Sequence, residues 1–103
     1  MPLLPDRVVL ISGGTSGLGA AIARAAAREG ALVAVTGRRR EPGEALAAEL
    51  SASQSGAAGA KALFIRADVG EVEQARASVT AAVAGFGRVD SLVNAAEIGR
   101  AHV

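Results

Sequence analysis

The stretch that decides the fold is residues 7–19, RVVLISGGTSGLG. Four consecutive apolar residues, Val8 to Ile11, lead directly into the glycine-rich segment Ser12–Gly19, and a long alanine-rich stretch follows. This succession predicts a buried strand, a tight glycine turn and the N-terminus of a helix. Free N–H groups at such a helix N-terminus bind phosphate, so the turn is a candidate site for the pyrophosphate of a dinucleotide.

Each glycine of this turn has a physical role. We expect Gly13 to let the chain leave the strand in a tight turn, Gly17 to let the backbone approach a phosphate, and Gly19 to let the helix pack close to the sheet. Their spacing, G-x-x-x-G-x-G, differs from the strict G-x-G-x-x-G fingerprint, and an ordinary structural turn without a ligand is the alternative. Hydroxyl groups that can donate to phosphate oxygens are carried in the same segment by Ser12, Thr15 and Ser16.

Strands and helices are predicted to alternate along the whole chain. The predicted elements are strand 7–12, helix 17–29, strand 31–36, a helix beginning near Pro42, a flexible loop over 51–59, strand 62–66, a third helix, and strand 89–94. Strict alternation implies an α/β fold in which a parallel sheet is wrapped by helices. We expect a three-layer Rossmann-type sheet in the order 3-2-1-4, with the first two helices on one face and the third on the other.

The third helix is predicted from an apolar stripe with spacings of three and four residues. Asp68 lies three residues before Glu71, a capping-box-like pattern at its start, although Gly70 is an alternative cap. Gly85 and Gly87 are expected to end the helix. The stripe, which we expect to face the sheet, consists of Val72, Ala75, Val79, Val83 and Phe86.

Composition excludes several classes of function. With 103 residues the chain is one domain at most, and its net charge of +1 gives no general attraction to nucleic acid or anionic membrane. There is no cysteine, and the single histidine, His102, cannot build a metal site alone and is expected to lie in a frayed end. No long apolar run or signal-peptide pattern is present. We therefore expect a cytoplasmic protein without a metal, membrane or nucleic-acid partner.

The end of the second strand bears on the choice of cofactor. An NAD site places an acidic residue about 20 positions beyond the glycines, where it binds the ribose 2′-hydroxyl. Here that place falls in Thr36-Gly37-Arg38, and no acid is present. Gly37 leaves room, and Arg38, with Arg39 as a second cation, can bind a 2′-phosphate, which favours NADP(H) over NAD(H). A solvated arginine loop is the alternative, and nucleic-acid binding by this triplet is a weaker one.

At this point the chain resembles the short-chain dehydrogenase/reductase family. Its nucleotide-binding turn has the form T-G-x-x-x-G-x-G, with Ser12 where threonine is usual. Residues 66–69 (RADV) resemble the D-V element after the third strand, and residues 89–96 (VDSLVNAA) resemble its V-D-x-L-V-N-N-A-G segment. The resemblance covers almost the whole chain but only the N-terminal part of the family's usual domain.

The resemblance implies a set of cofactor-binding residues. In the family the aspartate of the D-V element contacts the adenine, a role that Asp68 can combine with helix capping. Asn94 either lines the cofactor or ties strand ends together. The full set of expected cofactor contacts is Gly13, Thr15, Ser16, Gly17, Leu18, Gly19, Arg38, Arg39, Asp68, Val69, Asn94 and Ala96.

The catalytic residues of the family have no counterpart here. The family uses a serine and a Y-x-x-x-K pair, all beyond the fourth strand, whereas this chain has no tyrosine, and its one lysine, Lys61, precedes the third strand. Every serine lies at or before Ser91. The fourth-strand motif is also altered, because Ala95 replaces the second asparagine and Glu97 replaces the glycine.

These observations favour one function and leave two alternatives open. Residues 1–103 are interpreted as a partial NAD(P)-binding Rossmann domain, the cofactor-binding part of an oxidoreductase that transfers hydride between NADP(H) and a carbonyl or alcohol substrate. A non-catalytic dinucleotide-binding or partner-binding module is the second interpretation, and a remnant that binds nothing is the third. Since the fourth strand would leave an open sheet edge, we also expect self-association there.

Overall fold

Four strands and three helices alternate along the chain. The computed structural model describes residues 4–13, 15, 17–52, 62–68 and 71–95. Its elements are β1 (Val8–Ser12), α1 (Gly17–Arg28), β2 (Leu32–Gly37), α2 (Arg40–Ala52), β3 (Ala62–Arg66), α3 (Val72–Phe86) and β4 (Ser91–Asn94). The predicted element order is confirmed. α2 includes residues 51 and 52, where a loop was predicted, and the rest of that predicted loop lies outside the described residues.

The four strands form one parallel sheet in the order β3-β2-β1-β4, as predicted. β1 is central, with β2 on one side and β4 on the other. The register places Ser12 opposite Asn94 and Gly37 opposite Arg66, so the carboxyl ends of the strands lie along one edge. The strand order reverses between β1 and β4, and in such sheets ligands bind beside that reversal.

Alternate side chains of the strands enter two separate cores. On one face, Ile11 and Val35 pack in a cluster with residues of α1 and α2. On the other face, Leu10 and Ala34 pack with Ala82 of α3. The predicted assignment of the helices to faces is therefore confirmed. α1 approaches the sheet closely because its buried side chains are all small, namely those of Ala20, Ala23, Ala26 and Ala27, together with Gly19.

The predicted apolar stripe of α3 is wrong in its principal members. Val72 is 66% exposed, and Val79 and Val83 are 40% and 41% exposed. The buried residues of the helix are instead Ser78 and Ala82. α3 meets the sheet through these smaller side chains, which turns the valines outward.

α3 lies close to β3, and its buried residues, Ser78 and Ala82, are small. A Cβ added at Gly85 would collide with the side chain of Leu63. The buried hydroxyl of Ser78 is satisfied within the helix, where it donates to the carbonyl of Ala75 at 2.7 Å. A polar residue can therefore occupy this face without leaving an unpaired buried group.

The predicted capping box of α3 is also wrong. The N-cap is Glu71, whose side chain makes no capping hydrogen bond among the described residues, and Gly70 lies outside those residues. The carbonyl of Asp68 accepts a bond from the Glu71 N–H at 3.0 Å, while the Asp68 N–H donates to Gln74 Oε1 at 2.6 Å. The segment before α3 is thus fastened through the backbone of Asp68. At the other end Gly87, with φ of 90°, closes the helix as predicted, whereas Gly85, which was also expected to end it, lies within α3.

Asp90 fastens β4 to β1 at the amino edge of the sheet. Its carboxylate accepts a bond from the Val8 N–H at 2.8 Å and pairs with Arg88 Nε at 2.9 Å. Arg88 in turn donates to the carbonyl of Asp6 at 3.1 Å. The bond from Val8, followed by that from Arg88, lowers the pKa of Asp90.

We expect this lowered pKa to make stability depend on pH. Because the folded protein favours the ionised carboxylate, the stabilisation is present above the pKa of an unfolded aspartate, about 3.9, and is lost as pH falls through the lower folded pKa. Asp90→Ala removes the acceptor for both the Val8 N–H and Arg88 Nε and should therefore lower the melting temperature near pH 7. Asp90→Asn keeps an acceptor but has no charge, so its melting temperature should fall by less than that of Asp90→Ala.

Thermal unfolding of the wild-type chain and both variants between pH 7 and pH 3 tests this expectation. The difference between the wild type and Asp90→Asn should shrink as the pH falls. A difference that stays constant across this range would contradict an ionised Asp90 as the stabilising group.

Exposed apolar side chains are concentrated on α3 and β4. Leu92 is 61% exposed, although it lies opposite the fully buried Leu10 and therefore projects from the same face of the sheet as α3. Among the described residues, β4 pairs only with β1, so its other edge has no strand neighbour there. No described helix is long and apolar enough to cross a bilayer. The described part of the fold therefore presents an unpaired strand edge beside an apolar surface, both of which favour association.

We expect the 103-residue chain to self-associate through β4. Leu92→Lys should weaken that association by roughly tenfold or more, since two copies related by a twofold axis would bring two like charges together. Sedimentation velocity over a range of protein concentrations measures the effect. Ala48→Lys is the matched control, because it adds the same charge at an exposed position on α2. A wild-type chain that stays monomeric at every concentration would contradict the expectation.

Candidate functional site

The candidate site lies at the carboxyl edge of the sheet, where β1, β2 and β4 end. Ser12 and Asn94, the last residues of β1 and β4, are register partners. The Ala95 N–H donates to the Ser12 carbonyl at 2.8 Å, so the two segments remain hydrogen-bonded one residue beyond the end of β4. The glycine-rich segment begins at this point, beside the reversal of strand order.

The first glycine of the turn donates a hydrogen bond to a side chain of β2. Gly13 has φ of 77°, a left-handed conformation that glycine adopts without strain, and the tight turn predicted there is present. Its N–H donates to Thr36 Oγ1 at 3.0 Å. Thr36 is only 1% exposed, so its hydroxyl occupies a fixed position below the turn. β2 therefore sets where the chain leaves β1.

Sequence reasoning missed this role of Thr36. Thr36 was predicted to lie at the end of strand 31–36 and in the segment where an NAD site has an acid, without a structural role. The available signal was the hydroxyl itself, because a polar group at the end of a buried strand needs a hydrogen-bond partner. The partner could not be read from the sequence, since it depends on the pairing of β1 with β2.

α1 begins at Gly17 with open space around it. Gly17 is exposed, and apart from its chain neighbours and the backbone of its own helix no described atom lies within 4 Å of the place where its Cβ would be. Packing within the described protein therefore does not demand glycine there, whereas close approach of a phosphate to the helix N-terminus would. Leu18 is 65% exposed beside it, whereas Gly19 is buried. Ser16 lies outside the described residues.

The last residue of β2, Gly37, lies against Thr15 of the turn. Gly37 is buried, and a Cβ built on it would lie 2.7 Å from Thr15 Oγ1. The structure thus brings the glycine turn and the end of β2 into direct contact. Arg38, which follows, is exposed at the same edge.

The three consecutive arginines differ in what they contact. Arg40 is the first residue of α2 and pairs with Glu44 at 3.1 Å across one helical turn. Arg38 and Arg39 precede the helix, are exposed, and form no ion pair with another described residue. Two exposed arginines therefore follow directly on Gly37, the residue that contacts Thr15 of the glycine turn.

Two further predicted residues lie at this edge. The Ala67 N–H donates to the Gly37 carbonyl at 2.9 Å, which places Asp68 just beyond the ends of β2 and β3. Asn94 is exposed at the end of β4. Both roles suggested for Asn94, lining a ligand and tying strand ends, remain compatible with this position. Val69 and Ala96 lie outside the described residues.

Comparison with known proteins identifies the family. A family model described as short chain dehydrogenase matches residues 7–103. The chain belongs to the short-chain dehydrogenase family. The members of this family bind NAD(P) beside the reversal of strand order. The open space at Gly17 fits a dinucleotide pyrophosphate.

Individual members of the family are similar to this chain in sequence. The chain is 46% identical over 92 residues to an A-factor type gamma-butyrolactone 1′-reductase of Streptomyces virginiae, and the match covers 89% of this chain and 34% of that protein. The chain spans about a third of the length of the curated relatives it matches.

Solved structures of the family superpose well on this fold. A 3-ketoacyl-(acyl-carrier-protein) reductase from Brucella melitensis, complexed with NADH, has a TM-score of 0.75 and 35% identity over 86% of this chain and 33% of its own. A short-chain dehydrogenase/reductase variant from Serratia marcescens has a TM-score of 0.81 and 36% identity over 92% of this chain and 37% of its own. The four-stranded sheet is thus the family's Rossmann-type fold over part of its length.

We expect the Thr36 hydroxyl to stabilise the glycine turn of this member of the short-chain dehydrogenase family. Thr36→Val keeps the shape but loses the acceptor for the Gly13 N–H, so the free energy of unfolding should fall by about 1 kcal/mol. Thr36→Ser retains the hydroxyl and should recover part of this loss. Urea unfolding measures the effect, and equal stability of the valine and serine variants would show that the hydroxyl contributes nothing.

Proposed function

We propose that residues 1–103 form the cofactor-binding part of a short-chain dehydrogenase and bind NADP(H) in preference to NAD(H). The observation that carries this proposal is the end of β2, where Gly37 takes the place of an acid and two exposed arginines follow. An acid there would bind a ribose 2′-hydroxyl and repel a 2′-phosphate, whereas a guanidinium binds the phosphate through charge-assisted hydrogen bonds.

The rest of the dinucleotide has a place along the same edge of the sheet. The N–H groups of the first turn of α1 and the positive end of its dipole favour the pyrophosphate, which Gly17 leaves room to approach. Leu18 offers an exposed apolar side chain for packing against the cofactor. Asp68 is proposed to contact the adenine, and Asn94 to line the site beside β4. Ser16, Val69 and Ala96 complete the proposed contacts.

In a complete family domain this site serves hydride transfer between NADP(H) and a carbonyl or alcohol substrate. The cofactor supplies the hydride or accepts it, and the residues of this chain bind and orient it. The 103 residues contain no tyrosine, and Lys61 is the single lysine, so the family's acid–base pair is not among them. We therefore expect these residues alone to bind cofactor without turning over a substrate, and we expect a cytoplasmic location.

A non-catalytic dinucleotide-binding or partner-binding module is the second candidate function. The same missing tyrosine favours it. The coding DNA beyond the codon for Val103 distinguishes the two candidates. A continuation that encodes Y-x-x-x-K, in frame or after a frameshift, supports the dehydrogenase, whereas its absence supports the module.

Arg38→Ala should reduce the affinity for NADPH and leave that for NADH nearly unchanged. Loss of one charge-assisted bond, worth about 1.5–3 kcal/mol, corresponds to roughly a 10- to 100-fold increase in the Kd for NADPH. Arg39→Ala should have a smaller effect in the same direction. Titrations followed by cofactor fluorescence measure the Kd of the wild-type chain and of both variants for NADPH and for NADH.

Arg28→Ala is the matched control for this experiment. Arg28 is an exposed arginine in the last turn of α1, at the end of the helix opposite the glycine turn. Its removal changes the net charge equally but should leave both affinities unchanged. Equal affinity of the wild-type chain for NADPH and NADH would refute the proposed preference, and failure to bind either would refute cofactor binding by this chain.

A further inference from the structure

We propose that Thr15 is a specificity-determining residue that closes position 37 to any side chain. It thereby excludes from the site the carboxylate that would bind an unphosphorylated ribose. The inference rests on the proposed function, because it concerns how the site discriminates between the two cofactors. Its structural basis is a contact between Thr15 in the glycine turn and Gly37 at the end of β2.

Among the described residues, the side chain of Thr15 is the nearest obstacle to a Cβ at position 37. A Cβ built on Gly37 would lie 2.7 Å from Thr15 Oγ1, 2.9 Å from Thr15 Cγ2 and 3.4 Å from Thr15 Cβ, and these are its three nearest neighbours. The glycines with positive φ in the described residues are Gly13, Gly30 and Gly87. Since Gly37 is not among them, its backbone conformation is open to other residues.

Rotation of the Thr15 side chain cannot relieve this collision. A side chain occupies three staggered positions about χ1, and threonine fills two of them with heavy atoms. Both of the filled positions lie within 3 Å of the new Cβ. Any other staggered rotamer still leaves a heavy atom in at least one of them. The backbone at Thr15 would have to move, which would displace the turn that begins at Gly13.

Serine at position 15 would remove the obstacle. It has one heavy atom on its Cβ, so its hydroxyl can turn to the third staggered position, away from residue 37. The hydroxyl itself would be retained. Thr15→Ser is therefore the smallest change that opens position 37.

The contact determines which cofactor chemistry the end of β2 can offer. An acidic residue at this end of the strand accepts hydrogen bonds from the ribose 2′-hydroxyl in NAD sites. With Thr15 present, that acid cannot be introduced at position 37 without displacing the phosphate-binding turn. The adjacent Arg38 needs no such space, because it is exposed. Selectivity for the phosphorylated cofactor is thus fixed by the pair Thr15–Gly37 together with Arg38.

A double-mutant cycle on stability tests the contact without any cofactor. Gly37→Ala should lower the melting temperature of the 103-residue chain by roughly 4–8 °C or more, because the new Cβ would overpack the contact with Thr15. Thr15→Ser should cost little by itself, and the double variant should recover most of the loss. If Gly37→Ala does not fold at all, the proposal predicts that the double variant Thr15→Ser, Gly37→Ala folds.

Gly85→Ala is the matched control for this cycle. It also introduces a Cβ into occupied space, but its neighbour is Leu63 on the other face of the sheet. Thr15→Ser should therefore leave the effect of Gly85→Ala unchanged. A tolerated Gly37→Ala, or one that Thr15→Ser does not rescue, would overturn the proposal.

Cofactor titrations test the consequence for specificity. Gly37→Asp should weaken binding of both NADPH and NADH, whereas Gly37→Asp with Thr15→Ser should bind NADH about tenfold more tightly than Gly37→Asp alone. If Gly37→Asp by itself binds NADH as well as the double variant does, the proposal is overturned. A wild-type chain without preference for NADPH would refute the proposed function, while the stability cycle would still decide whether Thr15 closes position 37.

Discussion

The position of β1 between β2 and β4 is the constraint on which the structure depends. β1 hydrogen-bonds to a parallel strand on each side, and its first four residues are buried. An apolar strand buried on both faces leaves only its ends available for function. The amino end is fastened by Asp90, and the carboxyl end passes into the glycine turn. The geometry of the site is therefore set by the register of β1 with β2 and by its register with β4.

The site combines fixed and accessible parts. Thr36 and Gly37 belong to a strand and are buried, so the floor of the glycine turn is rigid. Gly17, Leu18 and Arg38 are exposed above it. This arrangement suits a ligand that must be oriented to within a fraction of an ångström, since the contacts are displayed on elements that do not have to move.

The sequence predicted the parts of the fold that depend on continuous apolar runs. β1, β2 and β3 are such runs, and the Gly13 turn follows from its place after the first of them. α3 was harder because it carries valine, alanine and serine around most of its circumference. Two stripes fit the helical period, and close approach to β3 selects the one with Ser78 and Ala82. Contacts between distant segments, such as Thr36 with Gly13 and Thr15 with Gly37, have no local signature because they arise only from strand register.

The two ends of the sheet carry separate tasks, and this separation matters for how such a protein can change. Asp6, Arg88 and Asp90 hold the strands together at the amino edge, while the glycine turn and Arg38 lie at the opposite edge. Substitutions far apart and without shared partners usually have additive effects. Mutations at the amino edge can therefore supply a reserve of stability, and that reserve can compensate for destabilising changes that alter ligand preference at the carboxyl edge.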